Sequence, residues 1–534
     1  MAHFDLLIRG ATLLDGTGAP PRPDDLGVVG ERIAAIGAIP GDATAARLID
    51  ARGRALCPGF IDVHSHSDVS LLLDPRGESK VHQGVTTEVI GNCGFSAFPL
   101  ALPERRQQHL DLLASLGTGT IEPTWSDLEG YRAAFAQRGG TALNLAPQVG
   151  HGTLRIAVMG MERRPPTVEE LERMQWLLAQ ALEQGAFGLA SGLTYPPSGY
   201  ADTEELIALS RVVARFGGHY ATHARAETEG FGHVEEAVRI GRESGARVQF
   251  SHLALNVPAR WGRHADLLRL FEHARERGVD IAYDVYPYAA SSSCLTQYLP
   301  GWVQAGGPRA MAERLRDPGS RARARADVAA GWFGGIPWLW DRVVISRSGD
   351  PHDTASPGKT LQALAVEAGV PPEELVLRLC ETRGNAVEVV LFYRTEEDVQ
   401  AFLRHPLSTV GSDGLALPRD QGEARPHPRS FGAFPRVLGR YVRELGLLDL
   451  ATAVHKMTGR AAERVGLRDR GRLAEGLAAD LVLFDPARVA DRATFAEPCQ
   501  LPAGIDLVVV NGHVVIDGGR QTKARPGRVL RRGE

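Results

Sequence analysis

The stretch "FIDVHSHSD", residues 60–68, places His64 and His66 either side of one serine at the end of an apolar run. On a strand, side chains alternate between faces, so residues i and i+2 project together. Two such imidazoles can share a metal ion, or they can be ordinary hydrogen-bonded groups. Other apolar runs end in groups of matching chemistry: Cys93 in "IGNCGFS", His223 in "GGHYATHARAE", His252 in "VQFSH" and Asp413 in "LSTVGSDG". Taken singly, Cys93 reads as a small buried apolar residue and Asp413 as a turn former. Taken together, the imidazoles, thiol and carboxylate make a mixed N/S/O set suited to zinc. A catalytic zinc site keeps an open position for water and lowers its pKa to about 7. A carboxylate nearby can take the proton and return it to a leaving nitrogen. That combination is a hydrolytic centre.

Residues so far apart in sequence need a scaffold that gathers strand ends. Short apolar runs such as "PGFIDVHSH", "VTTEVIGNCG", "TALNLAPQVGHG", "AFGLASGL", "GGHYATHARAE", "ARVQFSHLAL", "DIAYDVYPY", "RVVISR" and "LSTVGSDG" alternate with amphipathic helical patterns such as "TVEELERMQWLLAQALEQG" and "TEELIALSRVVARFG". About eight β–α alternations of this kind predict an α/β fold, a (β/α)8 TIM-type barrel with chemistry at the C-terminal ends of its strands. Residues 1–57 and 470–534 instead show period-two alternation and turn punctuation, including Asn-Gly at 511–512 between two β-rich runs. These chain ends are expected to combine into one small β-sandwich bracketing a 58–469 barrel domain. Residues 288–345, rich in Trp, Pro, Gly and Arg, break the rhythm and read as an inserted subdomain or lid.

The 534 residues are 43% hydrophobic and 23% charged, with a net charge of −4, which gives no reason to expect nucleic acid or an anionic membrane as partner. The basic tail "RPGRVLRRGE" is too short for a binding arm and is expected to be a solvated end. Five scattered cysteines argue against a disulfide framework and for a reducing compartment. No signal peptide opens the sequence and no apolar run is long enough for a membrane span, so a cytoplasmic location is expected. "GKT" at 358–360 fails as a phosphate loop, because Asp353 stands where the earlier glycine is needed. Nothing in the sequence sets an oligomeric state.

Over almost its whole length the sequence resembles the amidohydrolase superfamily, whose signature is similar to "PGFIDVHSHSD". The runs "QGVTTEVIGNCGFS", "GLTYPPSGYADTEEL", "YATHARAE", "WGR", "DVYPYAASS", "GSDG" and "HPRSFGAFPRVLGRYVRE" narrow the resemblance to its D-aminoacylase or N-acyl-D-amino-acid deacylase branch. The C-terminal "KMTGRAAERVGLRDRGRLAEGLAADLVLFDP" agrees. The resemblance implies hydrolysis of a small N-acyl-D-amino acid to a D-amino acid and a carboxylate. It implies that Cys93, His223 and His252 hold a tightly bound zinc ion, with His64 and His66 at a second, weaker position. Asp413 would be the general acid/base. Tyr195, Tyr286, Ser292 and Arg429 would engage the substrate carboxylate, a guanidinium fork being suited to that group.

Two departures matter. Members of this branch often carry a lysine two residues after the His252 position, where it helps bind carboxylate; here that residue is Ala254. Related hydrolases that bridge two metals need a carboxylated lysine on a middle barrel strand, and the chain has none from 81 to 358. Cys93 is the natural replacement. The sequence also admits a hydrolase of the same fold acting on another amide, ester or cyclic amide, and more remotely a non-catalytic binding barrel.

Overall fold

The computed structural model describes residues 3–114, 116, 121–227, 229–333 and 335–533. Its centre is a ring of eight short strands: β1 (Phe60–Asp62), β2 (Val85–Ile90), β3 (Asn144–Pro147, resuming as Val149–Gly150), β4 (Gly188–Gly192), β5 (His219–His223), β6 (Arg247–Phe250), β7 (Ile281–Val285) and β8 (Ser408–Val410). Each pairs in parallel with the next. Strands β2, β4 and β7 are buried at every position, as expected where helices cover a parallel sheet. The ring closes just beyond β1 and β8, where Ser65 bridges Gly414 in parallel. There the Asp413 N–H donates to the His64 carbonyl (2.8 Å) and the His66 N–H to the Gly414 carbonyl (2.9 Å). Closure of the barrel is therefore what sets Asp413 beside the first two histidines.

The outer helices form where their sequences say they should. The helix Val168–Glu183 starts at a capping box in which Thr167 and Glu170 satisfy each other's backbone N–H groups, and it buries Met174, Leu178, Ala181 and Leu182 on one face. Asp202 caps Thr203–Arg215 in the same role.

Two expectations need correction. "RVVISR" is a strand (Val343–Arg347), but it is not part of the barrel. It pairs antiparallel with Glu388–Leu391, which also pairs antiparallel with Ser291–Cys294, giving a separate three-stranded sheet. A core of its own, including Leu295, Tyr298, Trp332, Ile345, Leu377 and Tyr393, lies against it. The interruption thus runs well past residue 345, because its middle strand comes last in sequence. The basic tail is not a solvated end either. Leu145 N–H donates to the Arg528 carbonyl (2.9 Å), Leu530 N–H to the Leu145 carbonyl (2.8 Å) and Arg532 N–H to the Gly185 carbonyl (2.9 Å). Val529 and Leu530 are buried, so two apolar residues among the arginines decide the tail's path.

The chain ends form the β-sandwich. Nine strands join in one hydrogen-bonded sheet, in which Leu481–Phe484 from the C-terminal part pairs antiparallel with Ala55–Pro58 from the N-terminal part. Leu6, Ile8, Leu26, Leu481, Leu483 and Leu507 share its core. At the hairpin foreseen from Asn-Gly, Asn511 and Gly512 both take positive φ (45° and 77°), the requirement of a tight turn matching strand twist. Among the described residues no helix is long and apolar enough to cross a membrane.

Candidate active site

Each candidate ligand sits just past, or at, the C-terminal end of a barrel strand. Cys93 follows β2, His223 ends β5, His252 follows β6 and Asp413 follows β8. Cys93, His252 and Asp413 hold positive φ (53°, 39° and 52°). Non-glycine residues rarely adopt this conformation, and such outliers concentrate where a site is held against local preference.

The side chains converge. Cys93 Sγ lies 3.7 Å from His223 Nδ1 and 3.6 Å from His252 Nε2, and those two nitrogens are 2.9 Å apart. Tetrahedral zinc with bonds of about 2.3 Å to sulfur and about 2.0 Å to nitrogen places sulfur and nitrogen about 3.5 Å apart. The sulfur–nitrogen edges of this triad fit that figure. A second group adjoins it: His64 Nε2 is 3.3 Å from Cys93 Sγ and 3.4 Å from Asp413 Oδ1, and His66 Nε2 is 3.0 Å from the same carboxylate oxygen. Two donor sets therefore share Cys93, one of Cys93, His223 and His252, the other of His64, His66, Cys93 and Asp413.

Outer partners fix which atom each ligand presents. Thr194 Oγ1 lies 2.7 Å from His223 Nε2, which leaves Nδ1 toward the sulfur. Asp284 Oδ1 lies 3.2 Å from His64 Nδ1 and accepts from the His252 N–H at 2.8 Å, orienting two ligands with one atom. Gln249 Nε2 donates to the other oxygen of Asp284 (3.2 Å). Such supports tune ligand geometry almost as strongly as the ligands themselves. Nothing in "GLTYPPSGY" or "DVYPY" marks Thr194 or Asp284 for these roles on sequence alone.

The charges are coupled. Burial pushes the Asp413 carboxyl up, but Arg429, His252 and His64 outweigh it and hold the group well below the ordinary carboxylate range. Burial likewise raises Cys93, yet the His64 charge and hydrogen bonds with His223, His252 and His64 bring it well below a free thiol. For His66, burial favours the neutral ring, but hydrogen bonds to Asp413 and Cys93 push it up to about 9. The thiolate and carboxylate are the forms a cation requires of its ligands, whereas His64 and His66, held charged by those anions, must give up a proton before they can ligate one.

A cleft opens beside this cluster. Its walls include Tyr195, Tyr286, Ser292, His223, His252, Ala254 and Asp413, with Tyr298 and Trp332 contributed by the inserted sheet's core. Tyr195 Oη is 3.3 Å from Ser293 Oγ, and the buried Tyr286 hydroxyl has no hydrogen-bond partner among the described residues. Arg429 comes to the site through Asp413: its Nη1 donates to Asp413 Oδ2 (2.6 Å) and its Nη2 to the Ser292 carbonyl (3.3 Å).

A family model described as "Amidohydrolase family" matches residues 47–516. The chain is similar to three enzymes of Alcaligenes xylosoxydans xylosoxydans. It is 41% identical to a D-aminoacylase (99% of this chain, 98% of that one) and 40% identical to an N-acyl-D-aspartate deacylase (100% and 96%). It is 39% identical to an N-acyl-D-glutamate deacylase (99% and 97%). Among solved structures, it is similar to the N-acyl-D-glutamate deacylase from Bordetella bronchiseptica complexed with zinc and a phosphonate mimic of the tetrahedral intermediate. That match has a TM-score of 0.83 at 38% identity and covers 99% of this chain and 100% of the other. With its barrel, its thiol-centred donor sets and these relatives, the chain belongs to the amidohydrolase family, in the branch of D-aminoacylases and N-acyl-D-amino-acid deacylases.

Proposed function

We propose that this protein hydrolyses the amide bond of N-acyl-D-amino acids, releasing a D-amino acid and a carboxylate, with zinc held by Cys93, His223 and His252. The observation that carries this reading is the convergence of those three donor atoms opposite Asp413 in a chain of this family. His64 and His66, with Cys93 and Asp413, would hold a second and weaker metal.

Zinc bound there supplies Lewis acidity toward an amide carbonyl and lowers the pKa of water to about 7. The chain's own residues do the rest. Asp413, ionised at neutral pH, accepts a proton from the attacking water on its carboxylate and later delivers it to the departing nitrogen. Arg429, 2.6 Å from Oδ2, keeps that carboxylate oriented. His64 and His66, both within 3.4 Å of Asp413 Oδ1, would help stabilise the tetrahedral oxyanion. Tyr195, Tyr286, Ser292 and Arg429 serve the substrate's carboxylate end. All five cysteines are free, which supports a reducing compartment, and we place the enzyme in the cytoplasm.

The test is a panel of N-acetyl amino acids in paired D and L forms, assayed with the zinc-loaded protein. The D isomers should be cleaved preferentially. Turnover confined to L isomers, or to cyclic amides and esters, would overturn the assignment.

A further inference from the structure

Three arginines line or adjoin the cleft, and two have carboxylate partners. Arg429 is held by Asp413 (2.6 Å), and Arg225 by Glu236 (3.0 Å). The third, Arg394, lies just beyond the strand Glu388–Leu391 of the inserted sheet and reaches into the cleft beside Ala254 and Ser291–Ser293. Its Nε donates to Asn256 Oδ1 (3.2 Å), and its guanidinium carbon sits 4.5 Å from the centre of the Tyr286 ring, the ring on which Arg429 also stacks at 4.9 Å. Among the described residues Arg394 has no ion-pair partner, and its two terminal nitrogens make no hydrogen bond. Glu227, also in the cleft, is committed to Arg260 (3.2 Å) and to the Asn256 N–H (2.9 Å).

A half-buried cation positioned by a side-chain amide and an aromatic face, with its fork left open, is a site for an anion brought in from outside. Holding a guanidinium away from bulk water without a counter-charge is costly, and a planar carboxylate offsets that cost with two parallel hydrogen bonds. Position 254, across the same cleft, supplies only a methyl group. We infer that Arg394 joins Tyr195, Tyr286, Ser292 and Arg429 at the free carboxylate of the substrate and, as the guanidinium with its fork left open, sets the enzyme's preference for acids over their neutral analogues. This inference rests on the proposed function for the substrate class. It makes Arg394, delivered by the insertion and not by the barrel, a specificity-determining residue.

The experiment compares wild type, Arg394→Met and Arg394→Lys on N-acetyl-D-leucine and its carboxamide. Wild type should show a KM for the acid at least about tenfold below that for the carboxamide, as expected for one charge-assisted pair. Arg394→Met should raise the acid's KM by at least about tenfold, with a smaller effect on kcat, and should narrow the gap to the carboxamide; Arg394→Lys should recover part of it. An unchanged KM for the acid, or equal losses for acid and carboxamide, would overturn the inference. Calorimetry keeps this separable from the proposed reaction. The probe is the D-configured 2-isobutyl-4-oxopentanoate, in which a methylene replaces the amide nitrogen, together with its carboxamide. Tighter binding of the acid by wild type, lost in Arg394→Met, supports the role of Arg394 even if N-acetyl-D-leucine is not cleaved. Equal affinity for the two probes, or none for either, rejects it.

Discussion

At the scale of single residues, the proposed site would separate holding a metal from moving a proton. The triad of Cys93, His223 and His252 does not include Asp413, whose carboxylate is instead fixed by Arg429, His66 and His64. Asp413→Asn should therefore leave zinc content unchanged in elemental analysis while kcat falls by about 10²–10⁴-fold, the worth of a general acid/base. Loss of zinc together with activity would instead make Asp413 chiefly a ligand. The candidate ligands could be picked out in the sequence because cation binding demands a few residue types, and those types stand at successive strand ends. Thr194, Asp284 and Arg394 could not be read this way. A threonine, an aspartate or an arginine in a loop has many uses, and only contacts spanning 29 (Thr194–His223), 220 (His64–Asp284) and 138 (Arg394–Asn256) residues reveal theirs.

At the scale of elements, the strand ends must approach closely for the triad to form. Gly192 closes β4 against the Cys93 carbonyl, where an added Cβ would meet the oxygen at 1.9 Å. Backbone cannot yield as a flexible side chain can, so Gly192→Ala should displace the Cys93 turn. The variant is expected to fold yet bind zinc more weakly, read by competition with a chromogenic chelator; wild-type affinity would refute this packing role. The barrel's opposite end holds a different device. Lys456, in the helix Leu450–Met457, donates to the His405 carbonyl (2.6 Å) and to Ser408 Oγ (2.7 Å) at the start of β8. Burial, with the Arg460 charge adding to it, pushes its ammonium down to about 7. Between that value and the unfolded one near about 10.4, the unfolded chain carries a proton that the folded chain lacks. Stability from this group therefore rises with pH across that window. Lys456→Met should show a flatter dependence of Tm on pH between about 7 and 10 than wild type; identical slopes would contradict it. Element type was largely legible in the sequence, since apolar runs and caps are local signals. Membership was not, as "RVVISR" shows: a strand's partner depends on what returns to pair with it, here Glu388–Leu391 more than forty residues later.

At the scale of the whole molecule, the chain ends are tied to the barrel by a buried polar network. Asp480 pairs with Arg470, accepts from the Asn511 N–H (2.7 Å) and from Asn144 Nδ2 (3.3 Å) at β3, while Asn511 Nδ2 donates back to Asn144 Oδ1 (2.8 Å). Both members of the ion pair are almost fully buried. Removing Asp480 leaves the buried Arg470 with Asp469 (3.1 Å) as its remaining counter-ion and strands the Asn511 N–H, so Asp480→Ala should cost about 3 kcal/mol in chemical denaturation. A loss below about 1 kcal/mol would mean the network is dispensable. The period-two texture of both ends foretold a joint sheet, but the tail's docking along β3 was hidden, because its arginines mask the two apolar residues that bury. The insertion brings Arg394, Tyr298 and Trp332 to the cleft, so the proposed substrate selection would fall partly to a segment outside the barrel that carries the candidate metal ligands.

The most direct measurement is a stepwise zinc titration of chelator-stripped protein, with release of D-amino acid from an N-acetyl-D-amino acid followed in the same samples. Turnover should be absent at the start, climb in proportion to added metal and level off at about one zinc per chain. Full turnover by the stripped protein would contradict the account.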